Sequence, residues 1–151
     1  MNKKFYNFVE QMPLLMDKLK RYPLTAWGDF KKLPNAGGIY VLYENNKPIY
    51  VGRTRNFLSR LKQHGSRGSK HNSAPFAFNL AKEKYINEYG LTRVQLENTL
   101  KFRQEFAKAK ERVRNMGYRV ISVMDPIMQH MLEVYASCEL GTEKYNDFDT
   151  H

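Results

Sequence analysis

Two short runs of β-branched and aromatic residues around a polar turn constrain the fold of this chain more than any other feature. Residues 38–43 read GIYVLY, residues 48–52 read PIYVG, and residues 44–47 between them read ENNK. Such runs, separated by asparagine-rich turn chemistry, predict a β-hairpin. An isolated hairpin is only marginally stable in water, so further strands or helices must cover it.

The length of the turn decides which residues face each other across the hairpin. A two-residue turn at 45–46 places Tyr40 opposite Val51. A three-residue loop over 44–46 places Tyr40 opposite Tyr50, and such loops with a left-handed third residue are common. We expect the three-residue loop, because it pairs the two phenols on one face of the sheet. The ordinary alternative is two strand tyrosines whose hydroxyls lie at the rim.

The rest of the chain alternates helical and strand patterns. Apolar residues at helical spacing predict a helix over 3–20, which Pro13 should kink or split. The other predicted elements are a helix over 57–64 capped by Asn56, a helix from Ser73, a long charged helix over 97–115, a strand over 118–123 and a helix from Pro126 to Leu140. This order predicts an α+β fold, with a three-stranded antiparallel sheet flanked by helices and an N-terminal helical extension over 1–33.

The charge balance points to a polyanionic partner. The chain has 25 Lys and Arg against 15 Asp and Glu, a formal net charge of +10. The basic residues of 97–115 fit either a helix that follows a DNA backbone or a solvated helix with i,i+4 ion pairs. The single cysteine, Cys138, has apolar neighbours and should be a buried thiol. With no signal peptide and no apolar run of membrane length, we expect a cytoplasmic protein.

The predicted helix after the hairpin carries two polar side chains of chemical interest. Phe57, Leu58 and Leu61 should form an apolar stripe that faces the sheet. Arg60 and His64, four residues apart, should lie together along one border of that stripe. An arginine there can bind a phosphate through two hydrogen bonds, and a histidine can exchange a proton. The alternative is a solvated basic helix.

The last predicted helix is apolar enough to be largely buried, on a face that contains Ile127, Val134 and Cys138. Its narrow polar strip contains Gln129, His130, Glu133 and Ser137. Glu133 is the one carboxylate of the strip. It could hold a divalent cation whose other ligands are water and phosphate oxygen, or it could be an ordinary surface glutamate.

Taken in order, these features resemble the GIY-YIG nucleases, small endonuclease domains. The markers are Tyr40 in Gly38-Ile39-Tyr40, Tyr50 in Tyr50-Val51-Gly52, Arg60 in the next helix, Glu133 in a late helix and Asn146 near the C-terminus. Val51 in place of isoleucine is a conservative departure. The resemblance covers residues 34–151, with a helical insertion at about 73–115.

The resemblance implies metal-dependent hydrolysis of a DNA phosphodiester. Tyr40 would act as general base or proton relay for the attacking water, and Tyr50 would orient that water or contact the phosphate. Arg60 would stabilise the charge that develops on the phosphoryl oxygens. Glu133 would bind Mg²⁺, for which Mn²⁺ could substitute.

Further site residues follow from the same resemblance. Arg53 would contact the phosphate, and Asn146 would support the site by hydrogen bonding. The proton of the tyrosine base would pass to His64 or to His71. We favour His64, because the helix places it beside Arg60, and His71 would then position a phosphate or cap the next helix.

Other functions remain open at this point. A nucleic-acid-binding module could keep the fold without cutting, and a nuclease could be directed at RNA. The cleavage of both strands by one site would need a homodimer or two successive nicks. The DNA sequence or structure that is cut, and the biological role, do not follow from the chain.

Overall fold

The computed structural model describes residues 1–148 and contains one antiparallel sheet between two layers of helices. The strands are β1 (Thr25–Ala26), β2 (Gly38–Glu44), β3 (Lys47–Thr54) and β4 (Gly117–Ser122), in the order β1-β4-β2-β3. The helices are α1 (Lys3–Arg21), α2 (Phe57–Gly65), α3 (Pro75–Lys84), α4 (Arg93–Glu97), α5 (Leu100–Arg114) and α6 (Pro126–Leu140), followed by a 3₁₀ turn, Glu143–Tyr145. The α+β class and the three predicted strands are confirmed. The additional strand β1 has two residues, too few to show alternation in the sequence.

The hairpin turn has two residues, so the prediction of a three-residue loop is wrong. Glu44 pairs with Lys47. Asn45 and Asn46 both have positive φ angles, 50° and 63°. The two-residue turn that matches strand twist requires positive φ at both central residues, and asparagine tolerates that conformation.

A β-bulge at Ile49 then shifts the register of the hairpin by one residue. Leu42 therefore pairs with Tyr50. Tyr40 pairs with Gly52, which neither predicted register anticipated. Since side chains two residues apart on a strand share a face, Tyr40 and Tyr50 still lie on the same face, as diagonal neighbours and not as a direct cross-strand pair.

The sheet buries its two faces against different helices. On the α2 face, Tyr40, Leu42 and Tyr50 pack against α2, α3 and α5. On the α1 face, Ile39, Val41 and Val51 pack against α1 and α6. Alternation along β2 and β3 assigns successive residues to opposite faces, and β3 is the edge strand at one side of the sheet.

The helices end at local signals, and α1 runs through Pro13 without a break. Pro13 does not split α1, which is continuous from Lys3 to Arg21 and buries Met12, Met16 and Leu19. The predicted helix over 97–115 is α5, Leu100–Arg114, and the short helix α4, Arg93–Glu97, precedes it. Within residues 1–148 no helix is both long and apolar enough to cross a membrane.

The buried face of α6 also differs from the prediction. Ile127 is 53% exposed and Val134 is 49% exposed, and Cys138 is exposed as well. The buried face instead contains Met128, Leu132 and Ala136. Because apolar residues surround most of this helix, periodicity in the sequence did not distinguish its inner side from its outer side.

Candidate active site

An open cleft of about 470 Å³ lies where β3, α2, α6 and the segment after α6 meet. Six of the eight predicted site residues line this cleft: Tyr40, Tyr50, Arg53, Arg60, Glu133 and Asn146. His64 lies directly behind Tyr40. His71 lies elsewhere, so the structure brings together seven of the eight.

Tyr40 is the centre of the site. The side chain is fully buried, and its hydroxyl oxygen lies 2.6 Å from His64 Nε2. Arg60 Nε donates a hydrogen bond of 3.3 Å to the same oxygen. The position of the ring depends on Gly52, because a Cβ atom there would lie 2.3 Å from the Tyr40 Oη and Cζ atoms. Any larger residue at 52 would displace the phenol.

The two phenols differ in how readily they ionise. Burial raises the pKa of Tyr40, while the charge of Arg60 and hydrogen bonds from Arg60 and Tyr50 lower it. Burial raises the pKa of Tyr50 well above 10, and the neighbouring Tyr40 raises it further. Tyr50 stacks on Phe76, with ring centroids 4.7 Å apart. Tyr40 is therefore the phenol of this pair that ionises first.

His64 is a neutral imidazole inside the aromatic core, not a residue at the border of a crevice. Burial and the charge of Arg60 lower its pKa to about 3. Its Nδ1 atom has no hydrogen-bond partner within residues 1–148. A buried N–H group without a partner costs about 1–3 kcal/mol. The tautomer with its proton on Nε2 avoids this cost, and in that tautomer His64 donates its hydrogen bond to Tyr40.

Arg60 is held at the wall of the cleft by partners that sequence reasoning missed. Its Nη1 donates to Gln63 Oε1 and to the Ser73 carbonyl, each at 3.2 Å. The predicted apolar stripe of α2 is only partly correct, since Leu58 is 42% exposed. Gln63 lies one helical turn from Arg60, a spacing that could have indicated the contact.

Glu133 lies across the cleft from α2. Its Oε2 accepts a hydrogen bond of 3.0 Å from Arg53 Nε. Burial raises the pKa of Glu133, and the charge of Arg53 lowers it. The other oxygen, Oε1, makes no hydrogen bond within residues 1–148.

The Glu133 carboxylate fits a site in which the protein supplies one ligand to a divalent cation. A free carboxylate oxygen beside an open cleft suits a hard cation whose remaining ligands are water and phosphate oxygen. Residues 1–148 contain no group of three or more His, Cys, Asp or Glu side chains that could hold a metal ion.

Asn146 and His130 complete the cleft. Asn146 Nδ2 donates to the Val51 carbonyl at 2.6 Å, and Asn146 Oδ1 accepts from the Val51 amide at 3.5 Å. These bonds occupy backbone groups at the free edge of β3. His130, which was not predicted as a site residue, lines the cleft one turn before Glu133, and its Nδ1 donates to the Pro126 carbonyl. The position of His130 in the same polar strip of α6 as Glu133 could have indicated this.

His71 belongs to a different part of the molecule. Its Nδ1 lies 2.8 Å from Glu97 Oε1, and its backbone amide donates to the same oxygen. The ring packs near Phe78. Of the two predicted histidine partners for the tyrosine, the one in contact with Tyr40 is His64.

Comparison with known proteins agrees with this geometry. The model of one protein family, described as the GIY-YIG catalytic domain, matches residues 36–112, about half of the chain. The matched segment contains both tyrosines, Arg60 and His64, and it ends before Glu133 and Asn146. No curated protein and no solved structure matches the chain.

Proposed function

Because the chain belongs to the GIY-YIG nuclease family, we propose that it is an endonuclease that hydrolyses a phosphodiester bond of DNA and requires one divalent metal ion. The observation that carries this proposal is the placement of Tyr40, Arg60 and Glu133 around one cleft. Such a cleft offers a proton acceptor, a fixed cation and a carboxylate to a single phosphate group. The net charge of +10 suits a polyanionic substrate.

In this mechanism, Tyr40 accepts the proton of the attacking water. A phenol with a pKa near or above 10 is a poor base unless its ionised form is stabilised. Hydrogen bonds from Arg60, Tyr50 and His64 all converge on the Tyr40 oxygen and stabilise a phenolate there. Tyr50, whose own pKa is higher, keeps its proton and orients the water or the phosphate.

His64 acts in this scheme as a hydrogen-bond donor and not as the final acceptor of the tyrosine's proton. Burial lowers the pKa of His64 to about 3, whereas burial raises the pKa of Tyr40. Complete transfer of the Tyr40 proton to the imidazole is therefore strongly unfavourable. Donation from Nε2 to Tyr40 needs no such transfer and accounts for the unpaired Nδ1.

The two arginines contact the phosphate in different ways. Arg60 is fixed by Gln63 and Ser73, so its charge is already in place when negative charge develops on the phosphoryl oxygens. Arg53 is more exposed and pairs with Glu133. A bound phosphate would compete with Glu133 for Arg53.

Glu133 would hold the Mg²⁺ ion, with Mn²⁺ as a substitute. When bound, the cation supplies Lewis acidity that stabilises the phosphoryl oxygens and the departing 3′ oxygen. Arg53 keeps the Glu133 carboxylate oriented toward the cleft until metal and substrate arrive.

The test is a cleavage assay in Mg²⁺ with supercoiled, linear, branched and single-stranded DNA. Purified wild-type protein should cut at least one of these substrates, and EDTA should stop the reaction. Glu133→Gln and Arg60→Ala should each lower the rate by a factor of about 10² to 10³ or more. Glu139→Gln, an exposed change on the same helix, is the matched control and should cut normally.

Three other outcomes would change the proposal. Full activity in Glu133→Gln or Arg60→Ala would reject the mechanism. Binding to every DNA substrate without any nick would assign a nucleic-acid-binding module, and cleavage of RNA alone would assign an RNA-directed nuclease. Sedimentation of the protein with and without DNA would show whether it forms a homodimer, which could cut both strands.

A further inference from the structure

A second concave surface, which we call the basic groove, lies between the loop after α2 and helix α5. It has a volume of about 640 Å³. Its polar lining includes Arg67, Ser69, Lys70, Arg103, Gln104 and Lys110. The one acidic side chain of the lining, Glu97, is engaged by His71. The groove therefore has an excess of positive charge.

Three of the groove cations have no partner in the described part of the chain. Arg67, Lys70 and Arg103 are exposed. Within residues 1–148, their side chains make no hydrogen bond, ion pair or ring contact. Cations that the protein itself does not neutralise are available to an external anion.

Three of the four other basic residues of α5 have partners within the protein. Lys108 pairs with Glu105 at 3.1 Å. Arg112 makes two hydrogen bonds to the Glu44 carboxylate. Arg114 donates to the Gly65 carbonyl at 2.6 Å. The fourth, Lys101, is exposed and has no partner within residues 1–148, and it does not line the groove. Most of the free positive charge of α5 and the loop before α3 therefore lies at the groove.

Lys110 fixes the loop that carries two of the free cations. It is only 7% exposed, and its ammonium donates to the Arg67 carbonyl at 2.6 Å and to the Ser69 carbonyl at 2.9 Å. It also lies 4.4 Å from the centroid of the Phe106 ring. Burial lowers the pKa of Lys110. The loop backbone is therefore anchored by a buried cation, which holds Arg67 and Lys70 at a defined wall of the groove.

The same loop connects the groove to the catalytic cleft. Its far end, the Ser73 carbonyl, accepts the hydrogen bond from Arg60. The Ser73 amide donates to the Lys70 carbonyl at 3.0 Å, which closes a turn, so the two Cα atoms lie within about 7 Å of each other. A DNA strand rises about 3.4 Å per base pair, so this distance corresponds to about two nucleotides.

We propose that the basic groove binds the sugar–phosphate backbone of duplex DNA, a few nucleotides from the bond that lies in the catalytic cleft. The inference rests on the proposed function for the identity of the nucleic acid. Arginine and lysine donors match phosphate oxygens. The aromatic side chain of the lining, Phe106, is buried, so the groove offers no exposed ring on which a single-stranded base could stack.

The test compares two triple variants that lose the same charge. Arg67→Ala/Lys70→Ala/Arg103→Ala removes the free cations of the groove. Lys3→Ala/Lys18→Ala/Lys20→Ala removes three exposed lysines of α1 and serves as the matched control. The Kd of each protein for a fluorescein-labelled DNA duplex is measured by anisotropy over a range of NaCl concentrations, in EDTA so that no cleavage occurs. Circular dichroism verifies that both variants are folded.

The groove variant should bind the duplex about tenfold or more weakly at low salt, and its plot of log K against log[NaCl] should be less steep by about 2.7, or 0.9 per lost phosphate contact. The control should keep the wild-type slope. Equal slopes and affinities for the two variants would overturn the proposal. A loss confined to single-stranded DNA or to RNA would also overturn it.

The result is separable from the proposed function. Binding is measured without metal, so cleavage by wild-type protein in Mg²⁺ is an independent observation. A wild-type protein that cuts DNA while the groove variant retains its slope would reject the groove alone. Wild-type protein that binds through the groove but never cuts would reject the nuclease alone.

Discussion

The two faces of the sheet are equally buried, but the side chains that β2 places on them differ in chemistry. On the α1 face, Ile39 and Val41 are fully buried among aliphatic and methionine side chains of α1 and α6. On the α2 face, Tyr40 lies between them in sequence and is equally buried, yet its oxygen contacts His64 and Arg60. Burial of hydrocarbon stabilises the fold, whereas burial of hydrogen-bonded titratable groups adjusts their pKa values.

Buried aliphatic side chains and buried polar side chains contribute differently to the free energy of unfolding. A fully buried aliphatic side chain contributes about 1.5–3 kcal/mol. A buried polar group contributes little unless every donor and acceptor is paired, and His64 Nδ1 is not paired. At neighbouring positions of β2, Ile39 and Val41 should therefore matter more for stability, and Tyr40 should matter more for chemistry. Substitutions at neighbouring positions of β2 can separate the two.

The largest expected effect is on catalysis, from the loss of one oxygen atom on the α2 face. Tyr40→Phe should reduce the rate of DNA cleavage by a factor of about 10² to 10⁴, because it removes the proposed proton acceptor. The free energy of unfolding should fall by only about 1–3 kcal/mol, the cost of an unpaired His64 donor. Single-turnover cleavage and urea unfolding measure the two quantities. Wild-type cleavage by this variant would exclude Tyr40 as the base.

The next largest effect is on stability, from the α1 face. Ile39→Ala should lower the free energy of unfolding by about 2–5 kcal/mol, because it leaves a cavity in a fully buried site. The cleavage rate per folded molecule should remain close to that of wild type. A variant with normal stability and lost activity would show that the two faces do not divide these roles.

A smaller effect should appear as a dependence of stability on pH. The pKa of His64 is about 3 in the folded state and about 6.5 when unfolded. Between these values the unfolded state binds more protons, so stability is present above pH 6.5 and is lost as the pH falls toward 3. Wild type should lose about 3 kcal/mol more than His64→Gln between pH 6.5 and pH 4. The free energy of unfolding of both proteins is measured with urea across this pH range. If it changes with pH by the same amount in both, the prediction is wrong.

The same variant tests the direction of the hydrogen bond to Tyr40. Glutamine offers an N–H donor but cannot accept a proton as a base does. His64→Gln should therefore retain more cleavage activity than His64→Ala. Equal loss in both variants would indicate that His64 accepts the proton of Tyr40.

The smallest effect is expected at the edge of the sheet, where the two faces meet. Asn146→Ala removes the side-chain partner of the Val51 backbone and should lower the free energy of unfolding by about 0.5–1.5 kcal/mol. The neighbouring cleft residues should shift slightly, so cleavage should fall less than in Tyr40→Phe. Hydrogen exchange at the Val51 amide should become faster, and unchanged exchange would show that Asn146 does not protect this edge.

Local sequence signals predicted the elements whose ends depend on nearby residues. Asn56 caps α2 by accepting from the Ser59 amide at 2.8 Å. Pro126 begins α6, and Gly141 ends it with a φ of +65°. Helical spacing indicated Arg60, His64 and Glu133 as residues of interest, and the family resemblance gave them roles and added Asn146 to the candidate site.

Features that depend on distant contacts were not predictable in the same way. The turn residues alone do not determine the bulge at Ile49 or the pairing of Tyr40 with Gly52. Both depend on how the hairpin packs against the rest of the protein. The burial of His64 requires a ring of aromatic neighbours from β2, β3 and α3. The basic residues of α5 could not be divided into paired and free cations, because Arg112 finds its partner Glu44 on β2.

The order in which the cleft residues occur along the chain has a consequence for synthesis. Tyr40, Tyr50 and Arg60 leave the ribosome early, whereas Glu133 and Asn146 follow only after α5 and β4. A nascent chain that has formed the hairpin and α2 lacks the carboxylate that would hold the metal ion. In the proposed mechanism, hydrolysis would therefore begin only after α6 has left the ribosome and packed against the sheet.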